Sequence, residues 1–211
     1  TLTDSSAASD VYKRQDLAFA YYDFGQKDDA IAECDRFIDL YPNHSNLDYA
    51  YYLRAVSNLE KEQPFFQEFL GQDVSKYDVT RLKRAYDDFL FISNRFKDSK
   101  YADDATNRLI YLRNSMANHE VYIAKYYLKR GAFIASSERA KHMLETYPGA
   151  PATEEALKVL VASYNSLGSK DLAEDAARVL VSNYSSYSYD INKEDMVILR
   201  DQNNKETAET D

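Results

Sequence analysis

A glycine-centred pattern recurs along the chain and constrains the fold more than any other feature. Around Gly131, a Tyr lies four residues before the glycine, and small residues lie five and nine residues after it. An apolar pair follows at twelve and thirteen residues, and a second Tyr at sixteen. The three copies of this frame are Tyr127, Gly131, Ser136, Ala140, Met143, Leu144, Tyr147; Tyr21, Gly25, Ala30, Cys34, Phe37, Ile38, Tyr41; and Tyr164, Gly168, Ala173, Ala177, Leu180, Val181, Tyr184.

The frame predicts a helix, a turn and a second helix. Glycine ends the first helix because it adopts the left-handed conformation without steric penalty. The two small residues lie one helical turn apart on the second helix, where small side chains let two helices approach closely. In two copies a proline, Pro42 or Pro148, follows the last Tyr, and a helix usually ends before a proline.

A helix–turn–helix unit of about 34 residues with this pattern is typical of tetratricopeptide (TPR) repeats. A weaker fourth copy places Ala85, Phe89, Ile92 and Phe96 at frame positions, with Thr80 in place of the glycine. Before it, residues 61–80 have the character of an insertion. The predicted fold class is therefore all-α, without a β-sheet: four TPR-like helical hairpins stacked in a right-handed superhelix.

The repeat pattern also sets the domain limits. We predict a repeat domain over residues 16–185, with the insertion near 61–80, followed by a polar tail over 186–211 that is at least partly disordered. Residues 101–130 are helical by pattern, either as two fused helices or as one helix bent near Asn118. Residues 1–15 do not match the repeat, and two interpretations stay open for them: translated vector sequence, or a natural disordered arm.

Composition excludes some functions. The chain has 26 Lys+Arg against 35 Asp+Glu, a formal net charge of −9, which argues against binding nucleic acid through phosphate contacts. The single cysteine, Cys34, occupies a small-residue frame position, so we expect it in the core rather than as a reactive thiol. The sequence shows no catalytic, cofactor-binding or metal-ligand motif. It therefore predicts a protein that is not an enzyme and has no cofactor.

Four segments resemble the BamD (ComL) family: residues 16–59, 65–73, 101–114 and 121–148. These are TPR lipoproteins of the machinery that assembles β-barrel proteins in the Gram-negative outer membrane. The resemblance covers about residues 16–184. The signal peptide, lipid-attachment cysteine and first repeat of the family are missing, so the resemblance implies a lipid anchor for the complete protein and not for this chain.

The resemblance implies a non-catalytic scaffold at the periplasmic face of the outer membrane. Its implied partners are the periplasmic domain of a BamA-like barrel subunit, other assembly-machine lipoproteins and unfolded outer-membrane proteins. Arg139 falls where the family has an arginine that pairs with a carboxylate of the barrel subunit. Glu138 and Arg130 are predicted to share this partner-binding surface. The alternative for Arg139 is a solvated helix face.

Two other functions stay open. The chain is alternatively a generic TPR adaptor of the cell envelope that binds peptides or oligomerises. A helical-repeat enzyme is the third hypothesis, and the sequence offers no site for it.

Overall fold

Eight α-helices and one β-hairpin make up the described part of the computed structural model, which comprises residues 2–60, 79–184, 187–190 and 197–200. The helices are α1 (Leu2–Asp23), α2 (Lys27–Leu40), α3 (Leu47–Glu60), α4 (Val79–Arg95), α5 (Ala102–Lys129), α6 (Phe133–Thr146), α7 (Thr153–Ser166) and α8 (Lys170–Asn183). The strands are β1 (Tyr187–Asp190) and β2 (Val197–Arg200).

The helices form four consecutive hairpins, α1–α2, α3–α4, α5–α6 and α7–α8, which confirms the all-α TPR-like prediction. The chain divides into a first unit, Thr1–Arg113, and a second unit, Asn114–Asp211. In the first unit α2 packs against both α1 and α3, and α3 packs against α4. In the second unit α7 packs against both α6 and α8.

The three frame glycines form the predicted turns. Their φ angles are +78° at Gly25, +74° at Gly131 and +71° at Gly168. After Gly131, the backbone N–H of Ala132 donates to the carbonyl of Tyr127 at 3.0 Å. The equivalent bonds at the other two turns measure 2.8 and 2.9 Å. The first Tyr of each frame therefore supplies the carbonyl that closes its helix, an arrangement that requires a left-handed residue at the glycine position.

The small frame positions are buried, as predicted. Every one is at most 1% exposed: Ala30, Cys34, Ser136, Ala140, Ala173 and Ala177. The Ser136 hydroxyl donates to the carbonyl of Ala124 at 2.8 Å and so ties α6 to α5. Cys34 is buried, which confirms its predicted place in the core. This burial raises the pKa of its thiol to about 12, so the thiol stays protonated.

A charged cluster lies inside the first unit. The Arg54 guanidinium on α3 donates to both carboxylate oxygens of Asp88 on α4, at 2.5 and 2.9 Å. It also donates to Asp35 on α2 at 2.5 Å. The three residues of this cluster therefore join α2, α3 and α4. Asp88 is only 3% exposed, and its charge would be strongly unfavourable there without a partner.

The N-terminal end differs from the disordered-arm interpretation of residues 1–15. The helix α1 begins at Leu2 and continues without interruption into the first repeat. Gln15 is buried and accepts a hydrogen bond from the Asn46 side chain at 3.0 Å, which ties this helix to the start of α3. Residues 101–130, for which two descriptions were open, contain a single helix of 28 residues.

The C-terminal end differs from the expectation of no β-sheet. The strands β1 and β2 pair antiparallel, with Tyr187 opposite Arg200 and Asp190 opposite Val197. This segment is polar in composition, but its Tyr187 is only 6% exposed and packs in the core cluster with Leu157 and Leu180. The predicted insertion, apart from the first two residues of α4, lies outside the described residues, and so do residues 186, 191–196 and 201–211 of the predicted polar tail.

Candidate partner-binding surface

Of the three predicted partner-binding residues, Arg130 lies at the α5–α6 turn, whereas Glu138 and Arg139 lie near the middle of α6. Arg139 and Glu138 are neighbours on α6, and Arg130 directly follows α5. The described contacts give each one a different neighbour. Arg139 donates to Glu120 at 3.1 Å, Glu138 accepts from Lys141 at 2.7 Å, and the Arg130 guanidinium lies 5.0 Å from the centroid of the Tyr126 ring. Each of the three side chains is thus held by its own neighbour.

The two side chains of the Arg139–Glu120 pair differ in their exposure to solvent. The Glu120 side chain is 11% exposed, whereas that of Arg139 is 45% exposed. An arginine carries five N–H donors in a planar fork, and the contact with Glu120 uses one nitrogen. The guanidinium is therefore fixed at one edge and accessible at the other, where it has the geometry to bind a second carboxylate.

Glu120 on α5 is a neighbour of Arg139 that the sequence did not predict. The antiparallel register of α5 and α6 explains its position, because Ser136 contacts Ala124 across the Gly131 turn. One helical turn further from the glycine, that register brings Arg139 opposite Glu120. Ser136 and Ala124 lie five residues after and seven before Gly131, whereas Arg139 and Glu120 lie eight after and eleven before it, so equal spacing from the frame glycine does not identify the pair.

Ion pairs in the second unit also join α5 to α7. Lys125 on α5 and Lys158 on α7 both bind the Glu155 carboxylate, and Lys158 also lies 2.9 Å from Glu154. Burial works against ionisation of Glu155, but the two lysines outweigh it and hold the pKa of this carboxyl below its usual value. These carboxylates therefore stay charged at neutral pH, and the ion pairs that connect α5 with α7 persist.

The first unit carries an open groove of about 740 Å³ between α1 and the loops that precede α3 and α5. Its aromatic wall contains Phe19, which is 50% exposed, and Tyr49 and Tyr101, whose ring centroids are 5.9 Å apart. The Nε2 atom of Gln15 is buried at this groove, and the described residues offer it no hydrogen-bond partner. Burial raises the pKa of Tyr49 to about 12, so its hydroxyl remains a donor. The lining also includes the charged residues Asp16, Asp48, Asp98 and Lys100. Aromatic rings beside amide, hydroxyl and charged groups suit an extended peptide that carries both apolar and polar side chains.

The described helices show no stretch that is long and apolar enough to span a membrane. A family model described as "Outer membrane lipoprotein", YfiO, matches residues 6–180. The chain belongs to the YfiO family. The match starts inside the segment that the sequence analysis left unmatched, and it ends before β1.

Curated relatives of this YfiO-family chain carry the name "Outer membrane protein assembly factor BamD". One from Xylella fastidiosa (strain Temecula1) is 40% identical over 157 residues, which cover 74% of this chain and 54% of the relative. One from Neisseria meningitidis serogroup A is 40% identical over 160 residues, 76% of this chain and 60% of the relative. One from Vibrio cholerae is 30% identical over 174 residues, 81% of this chain and 72% of the relative.

These relatives confirm the resemblance to the BamD family, and they place the chain at the periplasmic face of the Gram-negative outer membrane. The chain spans about half the length of the Xylella relative that it matches.

Proposed function

We propose that this chain is a non-catalytic scaffold in the assembly of outer-membrane proteins. Its membership of the YfiO family and its relatives named as assembly factors support this role. The repeat architecture supports it too, because stacked helical hairpins present extended surfaces for binding other proteins. The observation that carries the proposal is the family match over residues 6–180.

The Arg139 surface is the proposed contact with the periplasmic domain of a BamA-like barrel subunit. Glu120 holds the guanidinium in place and leaves its other edge accessible, so a carboxylate of the partner would complete a two-sided arrangement. Glu138 directly precedes Arg139 and Arg130 directly precedes Gly131, and both would contribute polar contacts to this surface. A charge pair of this kind acts mainly on orientation and specificity.

The groove beside Phe19 is the proposed contact with unfolded outer-membrane proteins. Strands of such proteins alternate apolar and polar side chains, which suits a site with aromatic rings beside amide and hydroxyl groups. Contacts with other assembly-machine lipoproteins would use further parts of the repeat surface.

The experiment measures binding of the soluble periplasmic domain of a BamA-like subunit by titration calorimetry. We expect Arg139→Gln to weaken the complex by about 2–5 kcal/mol, the range measured when one partner of a desolvated charge pair is lost. Arg178→Gln is the matched control, because Arg178 is 60% exposed and pairs with acidic residues of its own helix. The control should bind like the parent chain.

A charge swap gives the sharper test. Arg139→Glu places a second carboxylate beside Glu120, so its helix content must first be checked against that of the parent. A partner in which that carboxylate is replaced by Arg should then bind Arg139→Glu and should not bind the parent chain as tightly. Parent-like affinity in Arg139→Gln would remove Arg139 from the site without affecting the scaffold proposal.

The second candidate function is a generic TPR adaptor of the cell envelope that binds peptides or oligomerises. The open aromatic groove of the first unit is the observation that favours it. Such an adaptor would bind extended peptides of many sequences and would not recognise the periplasmic domain of the barrel subunit. A parent chain that binds unrelated peptides as tightly as that domain would favour the adaptor over the scaffold.

A further inference from the structure

The groove beside Phe19, in the first unit, carries an excess of negative charge. Its charged lining residues comprise three carboxylates and one ammonium: Asp16, Asp48, Asp98 and Lys100. The Asp48 carboxylate accepts a hydrogen bond from the Ser99 hydroxyl at 2.5 Å, so it holds the loop that precedes α5. Asp16 and Asp98 are exposed at the groove. Two accessible carboxylates therefore remain for a ligand, in a chain whose formal net charge is −9.

Aromatic rings lie beside these carboxylates. Phe19 follows Asp16 by three residues, so the two side chains share one face of α1. Phe19 is 50% exposed, and Tyr49 of α3 also lines the groove. Burial raises the pKa of Tyr49 to about 12, and the Asp16 charge adds to this shift, which places that carboxylate near the Tyr49 hydroxyl. A cation bound in the groove would thus meet carboxylates and ring faces together.

The groove already holds one ammonium against an aromatic ring. The Nζ atom of Lys100 lies 5.0 Å from the centroid of the Tyr101 ring. Such contacts are favourable because the π-electrons make the face of an aromatic ring negative. Tyr52 stacks on the same Tyr101 ring, with 4.5 Å between the centroids. Because Tyr101 is occupied in this way, Phe19 and Tyr49 are the rings that a cation from a ligand would contact.

A buried donor lies at the same groove. The Gln15 side chain is 8% exposed, and its Oε1 atom accepts from the Asn46 side chain at 3.0 Å. This bond orients the amide, and the described residues supply no acceptor for its Nε2 atom. Buried polar groups are normally hydrogen-bonded, so Nε2 lacks an acceptor that a ligand would provide. The backbone of an extended peptide carries a carbonyl acceptor at every residue.

We propose that the groove beside Phe19 selects a lysine or arginine side chain on an extended segment of an unfolded outer-membrane protein. The cationic group binds Asp16 and Asp98 and lies against the Phe19 ring. A backbone carbonyl of the same segment accepts from the Nε2 atom of Gln15. Strands of barrel proteins alternate apolar and polar side chains, so a basic residue there has apolar neighbours that suit the aromatic wall. This inference rests on the proposed contact between the groove and unfolded outer-membrane proteins, and it adds the side chain that is selected.

The experiment measures the binding of fluorescent peptides to the full chain by anisotropy. Blocked peptides of about nine residues, the length of a membrane-spanning strand, alternate apolar and polar side chains and differ only at one central polar position, which is Lys, Arg, Gln or Glu. We expect the Lys and Arg peptides to bind about tenfold more tightly than the Gln peptide, and the Glu peptide to bind more weakly than the Gln peptide. Added salt should reduce these differences, because it screens exposed charges.

Substitutions separate recognition in the groove from the general attraction of a basic peptide to an acidic protein. Asp16→Asn combined with Asp98→Asn should remove most of the preference for Lys over Gln. Phe19→Leu keeps an apolar side chain but removes the ring, and it should weaken binding of the Lys peptide by about two- to fivefold. Asp39→Asn combined with Asp87→Asn is the matched control, since both residues are exposed and lie outside the groove lining. The control removes the same charge and should keep the preference for Lys.

The outcomes distinguish this inference from the proposed function. Equal binding of the Lys and Gln peptides by the parent would overturn the selection of a basic side chain and leave the groove as a peptide contact. A preference for Lys that survives the combined Asp16→Asn and Asp98→Asn change would overturn the assignment to this groove. A parent chain that binds none of the peptides would contradict the proposed contact with unfolded outer-membrane proteins, and the inference with it.

Discussion

Replacing Gly131 by Ala tests the turn on which the repeat frame depends. The residue has a φ angle of +74°, which side chains other than glycine rarely adopt. A Cβ atom built there would meet only the Phe133 ring, at 4.0 Å, an ordinary van der Waals contact. The substitution therefore introduces no clash, and its cost comes from the backbone conformation.

The size of the effect follows from two opposing contributions. A left-handed conformation costs a residue with a Cβ roughly 1–2 kcal/mol. Alanine also lowers the conformational entropy of the unfolded chain, which offsets about 0.4–1 kcal/mol of this cost. We expect Gly131→Ala to lower the free energy of unfolding by about 1 kcal/mol.

Urea unfolding followed by circular dichroism measures this change. With a slope of about 1–3 kcal/mol per molar urea, the midpoint should fall by roughly 0.3–1 M. Gly168→Ala is a matched comparison, since its φ is +71° and nothing lies within 4 Å of the added Cβ. Gly131→Asn should lose less, because Asn tolerates the left-handed region better than Ala. A neutral or stabilising Gly131→Ala would refute the assignment of the frame glycine to a left-handed turn.

Three further predictions concern the core and the C-terminal end. Ala140→Leu should overpack a fully buried position and cost about 1–3 kcal/mol; an unchanged melting temperature would show that this is not a packing position. Arg54→Met should cost about 3–5 kcal/mol in equilibrium unfolding, because it leaves the Asp88 carboxylate unpaired, and adding Asp88→Leu should recover most of the loss. The hydrogen bond from Tyr187 is the largest of the contacts that hold the pKa of Glu154 below its ordinary 4.5. The stabilisation from ionised Glu154 is thus complete above that value and is lost as the pH falls through the lowered pKa. Protection of the β1 amides from hydrogen exchange should therefore drop on acidification in the parent. It should not drop in Glu154→Gln, which has no carboxyl group to protonate at this position.

Much of the fold was predictable because it depends on local rules. The frame around Gly25, Gly131 and Gly168 specifies where a helix must end and which positions must be small. Both requirements come from backbone sterics and close packing, and the structure meets them at each copy. The weak fourth copy was recognisable for the same reason, since Ala85, Phe89 and Ile92 are fully buried despite the missing glycine.

The two ends of the chain were harder to predict. The helix before residue 16 lacks an apolar stripe, so its sequence carries no periodic signal. The β-hairpin depends on Tyr187 reaching Leu157 and Leu180, residues 30 and 7 positions earlier in the sequence, and no local pattern encodes such a contact.

The candidate site was predictable in part. The resemblance to the BamD family identified Arg139, but it did not identify Glu120, the partner of Arg139 on α5. Glu120 follows only once the antiparallel register across the Gly131 turn is fixed by Ser136 and Ala124. Sequence reasoning thus located the arginine, whereas the structure supplied the carboxylate that orients it.

The scaffold role is tested most directly by asking whether the parent chain retains the barrel-forming assembly subunit from a detergent extract of Gram-negative outer membranes. The immobilised parent and Arg139→Gln are compared, and the retained proteins are identified by mass spectrometry. We expect the parent to retain this subunit and Arg139→Gln to retain much less of it. A parent chain that does not retain the subunit would contradict the proposed function.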